Sequence, residues 1–465
     1  MINSVNDFKR PFFIGIAGSG MSALAQYLQW TGKNVSGSDR FFIPGEYNET
    51  KEKLEAENIQ CFDQDGSGIT NETDLVVVST AIEDTVIEVQ KAKQLNIPIL
   101  KRSELLALIA DSKKTIAIGG TSGKSTTTAM LFDILEYAGL KPSIISGAGL
   151  VSIIKQGKIG NAKVGTGEWL VIEADESDGS IVQYKSEIGL LLNVDKDHKE
   201  IDVLMDVFKT FKENSKRFVV NQSHPLAASL SQSIGQDFST DKNISAGYIS
   251  ENFNQEGFNI EYSINNTCLP DRQVRFSIHS IGRHNMENAL AAAAIANQLG
   301  VDLQTCADAL KDYEGIYRRN QVLGNKHGVW VIDDFAHNPV KCAAAIRACQ
   351  PVAEKVIAWL QPHGYGPTRF LRNDFVEEIS NALRPKDEIW MSEIFYAGGT
   401  AVKDISSGDL INDIKAKGKQ AFFVENRNVL LETMRPHFTG NCVLLLMGAR
   451  DPSLEQFAKT VWENL

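Results

Sequence analysis

The clearest periodic signal in the chain begins at residue 114. Thr115-Ile116-Ala117-Ile118 is an apolar, β-branched run and predicts a short buried strand. A glycine turn follows. Met130, Leu131, Ile134, Leu135 and Ala138 then recur at helical spacing on one face, with Gly139 as the stop. Upstream, 12–16, 34–36 (ending near Asp39), 75–79 and 97–100 read as strands, and 21–30 reads as a helix after the turn Ala17-Gly18-Ser19-Gly20. Downstream, 169–173 and 188–194 read as strands that end in acidic runs. The polar stretch 222–280, with alternating segments such as 258–264, predicts antiparallel β-structure, and an Ala-rich helix opens at 282–288. From about 317 onward, strands at 329–332, 356–360, 388–391, 421–424 and 443–447 alternate with helical stretches, which predicts an open, mostly parallel sheet.

These elements group into three α/β units, 1–110, 111–316 and 317–465, as the length of 465 residues leads one to expect. The net charge of −11, with no basic run, argues against general nucleic-acid binding, so an anionic substrate needs local positive sites. The six cysteines form no CxxC pair and read as reduced thiols of a cytoplasmic protein. No signal peptide and no apolar run of transmembrane length is expected, so no membrane partner is either.

The chemistry concentrates at turns after strands. Strand, Gly119-Gly120-Thr121-Ser122-Gly123, Lys124-Ser125-Thr126 and helix form a phosphate-binding loop. Its backbone N–H groups close around phosphate oxygens, Lys124 reaches the β- and γ-phosphates, and the Ser125 hydroxyl holds Mg²⁺. The usual eight-residue pattern wants glycine at 118, where this chain has Ile118. The turn at 15–20, with Asp39 about 20 residues beyond it, has the form of a dinucleotide-type phosphate turn, although Ala17 replaces its second glycine. Glu173-Ala174-Asp175-Glu176-Ser177-Asp178 and Asp195-Lys196-Asp197-His198 fall where Mg²⁺ ligands belong beside such a loop. Asn285 and Asn288 share a helix face and would, as a lone pair, read as caps. In the third unit, Asp333-Asp334-Phe335-Ala336-His337, Gln361-Pro362-His363 and Gly448-Ala449-Arg450-Asp451 gather at the strands' carboxyl ends.

Taken in order, Gly120–Ser125, Glu173–Asp178, Asp197-His198, His284-Asn285-x-x-Asn288-Ala289-Leu290-Ala291-Ala292, Arg318-Arg319 and Asp333-Asp334 resemble the Mur ligases, ATP-dependent amide-forming enzymes of peptidoglycan precursor synthesis. Gly15-Ile16-Ala17-Gly18-Ser19-Gly20-Met21-Ser22 and Gly37-Ser38-Asp39 are most similar to the branch that joins L-alanine to UDP-N-acetylmuramate. The resemblance implies an N-terminal Rossmann-like UDP-sugar domain, a central P-loop ATPase and a C-terminal Rossmann-like amino-acid domain, in a monomer or homodimer. It implies that ATP phosphorylates the substrate carboxylate and that an amino-acid amine attacks the acyl phosphate. Ser125 and Glu173 would hold one Mg²⁺ and His198 a second, with Asn285 and Asn288 placing the nucleotide, Arg319 reaching the phosphates and Asp334 holding the ribose. Gly18, Ser19, Gly20, Met21 and Asp39 would meet the UDP-sugar, and His337, His363 and Arg369 the acceptor.

Two departures concern the acceptor. Phe335-Ala336-His337-Asn338 stands where the alanine-adding branch carries Tyr-Gly-His-His, and its Phe-Ala is similar to the ligase that attaches recycled tripeptide. Gly364-Tyr365-Gly366-Pro367 stands where two carboxylate-binding arginines are expected in Arg-Tyr-Thr-Arg; Arg369 or Arg372 would then compensate. The alanine-adding branch normally lacks the carbamylated metal-bridging lysine of other members, and Lys212 reads as a solvated lysine. The alternatives are a tripeptide-attaching ligase, an NAD-type oxidoreductase using the first glycine turn, and a nucleotide-binding protein without ligase activity.

Overall fold

The computed structural model describes residues 2–80, 82–196, 200–269, 273–396, 398 and 402–465. The chain divides into two compact units: Met1–Glu251 with Ser263–Arg275 and Asn288–Ile316, and Asn252–Tyr262 with Phe276–Glu287 and Tyr317–Leu465.

The first unit holds two sheets. One comprises β1 (Pro11–Ile14), β2 (Ser36–Asp39), β3 (Gln60–Asp63), β4 (Leu75–Val78) and β5 (Ile99–Lys101), all parallel, in the order β3-β2-β1-β4-β5. Strand order reverses at β1, so the glycine turn after β1 lies at the crevice such sheets use for ligands. The helix after it is Ser19–Trp30, two residues longer at its start than the apolar period indicates, because Gly18 supplies an extended N-cap. The strand expected at 34–36 is instead Ser36–Asp39. Its Ser-Gly-Ser-Asp sequence carries no apolar signal. Gly37 is there because a Cβ would stand 2.5 Å from the Phe13 carbonyl oxygen on β1.

The other sheet comprises β6 (Lys114–Gly119), β7 (Ser143–Ile145), β8 (Ala162–Lys163), β9 (Trp169–Glu173), β10 (Ile188–Leu191) and β11 (Arg217–Val220), in the order β11-β10-β6-β9-β7-β8. Only the β7–β8 pair is antiparallel. Ile116, Ala117 and Ile118 are fully buried, as a central parallel strand covered on both faces requires. The helix Lys124–Tyr137 buries Met130, Leu131, Ile134 and Leu135 completely, each contributing about 1.5–3 kcal/mol. Strand β10 stops at Leu191 rather than at 194. Beyond it the chain turns its polar groups toward the phosphate loop: Leu192 N–H still donates to the Gly119 carbonyl, and the Thr121 N–H donates to the Asn193 carbonyl.

A small sheet, β12 (Phe238–Ser239), β13 (Tyr248–Glu256), β14 (Asn259–Asn266) and β15 (Gln273–His279), forms in that order, and its β12–β13 pair is parallel where antiparallel pairing was expected. The second unit is built on β16 (Gln321–Lys326), β17 (Val329–Asp334), β18 (Lys355–Gln361), β19 (Glu388–Met391), β20 (Gln420–Phe423) and β21 (Cys442–Gly448), in the order β16-β17-β21-β18-β19-β20. Its pairs are parallel except β16–β17. The antiparallel edge strand β16 was not foreseen, because its Gln-Val-Leu-Gly-Asn-Lys sequence is half-exposed and only weakly apolar. Among the described residues no helix is long and apolar enough to cross a membrane.

Candidate active site

The phosphate loop begins two residues later than its motif spacing suggests. Ile118 is still inside β6, paired with Leu190 and Glu173, and the turn is made by Gly120 at φ 137°. Gly123, at φ 84°, precedes the helix. A Cβ there would lie 2.4 Å from Asn288 Oδ1, so both the left-handed backbone and the close approach demand glycine. Asn288 Oδ1 also accepts from the Thr127 hydroxyl at 3.2 Å. Asn288 thus braces the loop, whereas Asn285 donates to the Ser280 hydroxyl and the Ile281 carbonyl ahead of its own helix. The two asparagines share a helix but perform different tasks.

Lys124 Nζ donates to the Gly120 carbonyl at 2.7 Å and pairs with Glu176 at 2.6 Å. Burial pulls its pKa down, but the carboxylates of Glu176, Asp175 and Glu173 outweigh this and raise it, so the ammonium stays charged. Burial also pushes the Asp175 carboxyl up. Lys124, the Ser177 hydrogen bonds and Arg102 outweigh that and hold it below the usual range. Glu173, at the end of β9, accepts from the Ser146 hydroxyl at 2.6 Å and the Gly147 N–H at 2.9 Å. Ser125, 9% exposed, stands in the first helical turn with Thr126.

Thr121 and Ser122 are tied to Asn193, which motif reading missed, and Thr121 also to Asp195, the first residue of the acidic run named above. The Thr121 hydroxyl donates to Asn193 Oδ1 at 2.9 Å, the Ser122 N–H donates to the same oxygen at 2.9 Å, and Asp195 N–H donates to Thr121 Oγ1 at 2.9 Å. His224 Nε2 lies 3.2 Å from Asp195 Oδ1. The only signal for Asn193 was its place just past a buried strand. His224 carried none. His198 lies outside the described residues. Lys212 Nζ reaches the Ser231 carbonyl at 3.4 Å.

At the first glycine turn, Asp39 is 5% exposed and braces the loop, accepting from the Ala17 N–H and the Phe41 N–H, each at 3.0 Å. The Ser19 carbonyl accepts from Asn161 Nδ2 at 2.7 Å, and Gly20 leaves room for Arg102, whose Cδ would be 3.0 Å from a Cβ. Arg102 in turn pairs with Asp178 at 3.1 Å. Met21 places its side chain in the core, 3% exposed, so only its main chain can meet a ligand.

In the second unit, Arg318 grips Asp333 through Nε at 2.8 Å and Nη2 at 3.2 Å, and also donates to the Gly448 carbonyl. Asp334 accepts from the Asn320 N–H at 2.6 Å and the Ala336 N–H at 2.7 Å. Burial pushes both carboxyls up, opposed by Arg318 at Asp333 and by Arg319 at Asp334. The Arg319 guanidinium lies 4.6 Å from the Phe335 ring. The His337 and His363 rings are 5.4 Å apart, which brings these two residues together as expected. His337 Nδ1 sits 2.8 Å from the Phe335 carbonyl, so Nδ1 carries the hydrogen and Nε2 is the acceptor nitrogen. Arg369 is not aimed at this pair: it binds the Asp404 carboxylate and the Val402 carbonyl. Arg372 pairs with Asp413 at 2.8 Å.

The donor set at the phosphate loop fits Mg²⁺. Ser125 and Glu173 are hard oxygen ligands, and a magnesium ion that keeps waters and takes substrate phosphates needs only one or two protein groups.

Three family models match in order along the chain: Mur ligase family, catalytic domain, over residues 12–114; Mur ligase middle domain, over 118–296; and Mur ligase, glutamate ligase domain, over 318–450. The UDP-N-acetylmuramate–L-alanine ligase of Syntrophomonas wolfei is 33% identical over 456 residues, which is 94% of each chain. That of Dictyoglomus turgidum is 34% identical over 431 residues, 90% of this chain and 89% of its own. The crystal structure of the UDP-N-acetylmuramate–alanine ligase MurC from Thermotoga maritima superposes with a TM-score of 0.79 at 25% identity over 98% of both chains. A murein peptide ligase from Psychrobacter arcticus shares the fold, with a TM-score of 0.70 at 20% identity over 98% of this chain and 99% of its own. Matched along most of its length by these models and relatives, this chain belongs to the Mur ligase family.

Proposed function

We propose that this protein joins L-alanine to UDP-N-acetylmuramate at the expense of ATP, in peptidoglycan precursor synthesis. The observation that carries the reading is the phosphate loop: a charged Lys124 at a helix start, held against Glu176 and flanked by Glu173 and Asp175. In the first step an oxygen of the muramyl carboxylate attacks the γ-phosphorus and ADP leaves. Lys124 and the loop N–H groups neutralise the charge on the transferring phosphoryl. Ser125 and Glu173 would hold Mg²⁺, which supplies further charge neutralisation at the phosphates, and His198 a second ion. In the second step the alanine nitrogen attacks the acyl carbon, the C–O bond to phosphate breaks, and the nitrogen gives up a proton. We assign that proton to His337, whose ring is held at Nδ1 by the Phe335 carbonyl.

We assign UDP-sugar binding to residues 1–110, nucleotide binding to 111–316 and acceptor binding to 317–465. Gly18, Ser19, Gly20, Asp39 and the Met21 main chain serve the first. Asn288 places the nucleotide by fixing Gly123. All six cysteines are free, in keeping with a cytoplasmic protein. The test is phosphate release from Mg-ATP and UDP-N-acetylmuramate with L-alanine or with Ala-Glu-diaminopimelate, with the product identified by mass. Formation of the alanyl product is expected.

A further inference from the structure

Arg369, Arg372, Lys403 and Arg427 are four of the cations that follow β18, β19 and β20, and three of these four are paired with carboxylates. Arg369 is bound to Asp404, Arg372 to Asp413 and Arg427 to Asp451. The fourth, Lys403, belongs to no ion pair among the described residues, since Asp404 beside it is taken by Arg369. Its Nζ instead lies 4.8 Å from the centroid of the Tyr396 ring and 5.9 Å from that of Tyr365. Those two rings meet edge to face, 5.6 Å apart.

This aromatic corner is fastened to the histidine pair. His363 forms a parallel bridge with Phe395, the Gly364 N–H donates to the Phe395 carbonyl at 2.9 Å, and the Phe395 N–H donates to the Pro362 carbonyl at 2.8 Å. Tyr365 and Tyr396 therefore each lie one or two residues from this clamp, and His363 faces His337 across 5.4 Å. His337, His363 and Tyr396 follow the carboxyl ends of β17, β18 and β19, the edge at which parallel sheets carry their ligands.

We propose that Lys403 is the cation that holds the α-carboxylate of the acceptor. The inference rests on the ligase reading above and names the group within its acceptor site. An ammonium stacked on two rings is oriented at little entropic cost and keeps its N–H donors for an incoming anion. Arg369 and Arg372 already have their charge neutralised at 45% and 39% side-chain exposure, and recruiting either would first break a pair. Lys403 needs no such exchange. Tyr365, only 9% exposed, would wall the acceptor side chain, and the histidine pair would face its nitrogen.

The test compares Lys403→Met and Lys403→Arg with wild type, using L-alanine, L-alaninamide and the Ala-Glu-diaminopimelate tripeptide as acceptors. Wild type should prefer L-alanine over L-alaninamide by at least about tenfold in kcat/KM, because a charge-assisted hydrogen bond to the carboxylate is lost with the amide. Lys403→Met should raise the L-alanine KM by about 10- to 100-fold, erase that preference, and leave the KM values for ATP and UDP-N-acetylmuramate within twofold. Lys403→Arg should recover most of the loss. An L-alanine KM within threefold of wild type in Lys403→Met overturns the assignment. If wild type ligates tripeptide but not L-alanine, the alanine reading falls. The same KM ratio measured on the tripeptide then decides Lys403 separately.

Discussion

The phosphate loop and the acceptor edge are both turns beyond the carboxyl ends of parallel strands, yet they are built in different ways. At the phosphate loop the key cation is prepared in advance. Lys124 is held by a main-chain carbonyl and a carboxylate, and the loop's shape is enforced by Gly123 against Asn288. At the acceptor edge the paired acids face inward. Asp333 and Asp334 clamp the segment 318–320, in which Arg318 and Asn320 adopt left-handed φ values of 56° and 46°. Asn320 is further tied to His284 Nε2 at 3.0 Å. The groups proposed to meet the acceptor there come from separate loops, at 337, 363 and 403. A site for phosphate can be made from backbone and one helix end, because the ligand is always the same. A site for an acceptor has to be made from side chains, because the acceptor is what varies within a ligase family.

The largest test of this contrast is Arg318→Ala. It leaves Asp333 buried at 5% side-chain exposure without its guanidinium and should cost about 3–5 kcal/mol of stability in the second unit, read by urea unfolding. A loss under 1 kcal/mol would mean the clamp is not what shapes this edge. Lys124→Ala should keep the chain folded by circular dichroism, at lower stability because the buried Glu176 loses this ammonium, and lower phosphate release by about 10²–10³, the effect of removing one group that neutralises transition-state charge. Activity within threefold of wild type would end the claim that this cation is the prepared one.

Glu173→Gln keeps the shape of the side chain that Ser146 and Gly147 hold but removes its charge. The Mg²⁺ concentration for half-maximal rate should rise about tenfold. An unchanged titration would remove Glu173 from the metal site.

Acid should separate the two regions as well. Burial lowers the His284 pKa to about 4, so its neutral form, which accepts from Asn320, contributes stability that is complete above the unfolded value of 6.5 and is lost as pH falls toward 4. Between pH 7 and 5 that amounts to about 1–2 kcal/mol. Asp175, held below the usual carboxylate range, loses its contribution only at lower pH. Unfolding at pH 7 and 5, in wild type and His284→Asn, should show a pH dependence that the variant reduces. The smallest effect belongs to Arg369→Ala. With its guanidinium committed to Asp404, the KM for L-alanine should change less than threefold, and a tenfold rise would restore Arg369 as the acceptor's partner.

Much of the architecture was legible along the chain. The strands at 169–173 and 388–391 fall where the apolar runs place them, since a strand covered on both faces has no alternative composition. The strand Ser36–Asp39 was misplaced because its burial depends on small polar residues fitting beside β1. The same distinction holds for chemistry. The spacing of Gly120, Gly123, Lys124 and Ser125 was enough to locate the strand, glycine turn and helix start, because the three are contiguous and local geometry builds them. Asn193 and His224, and the tie of Asp195 to the loop, became visible only when strand pairing set β10 beside β6. Arg369 was a candidate by nearness in sequence, and the fold sets it against a carboxylate 35 positions away. Lys403 carried no motif at all. Its neighbours, Tyr365 and Tyr396, reach it from loops after two different strands. Whether a lysine is solvated or aimed at a ligand is decided by which charges the folded chain leaves unpaired.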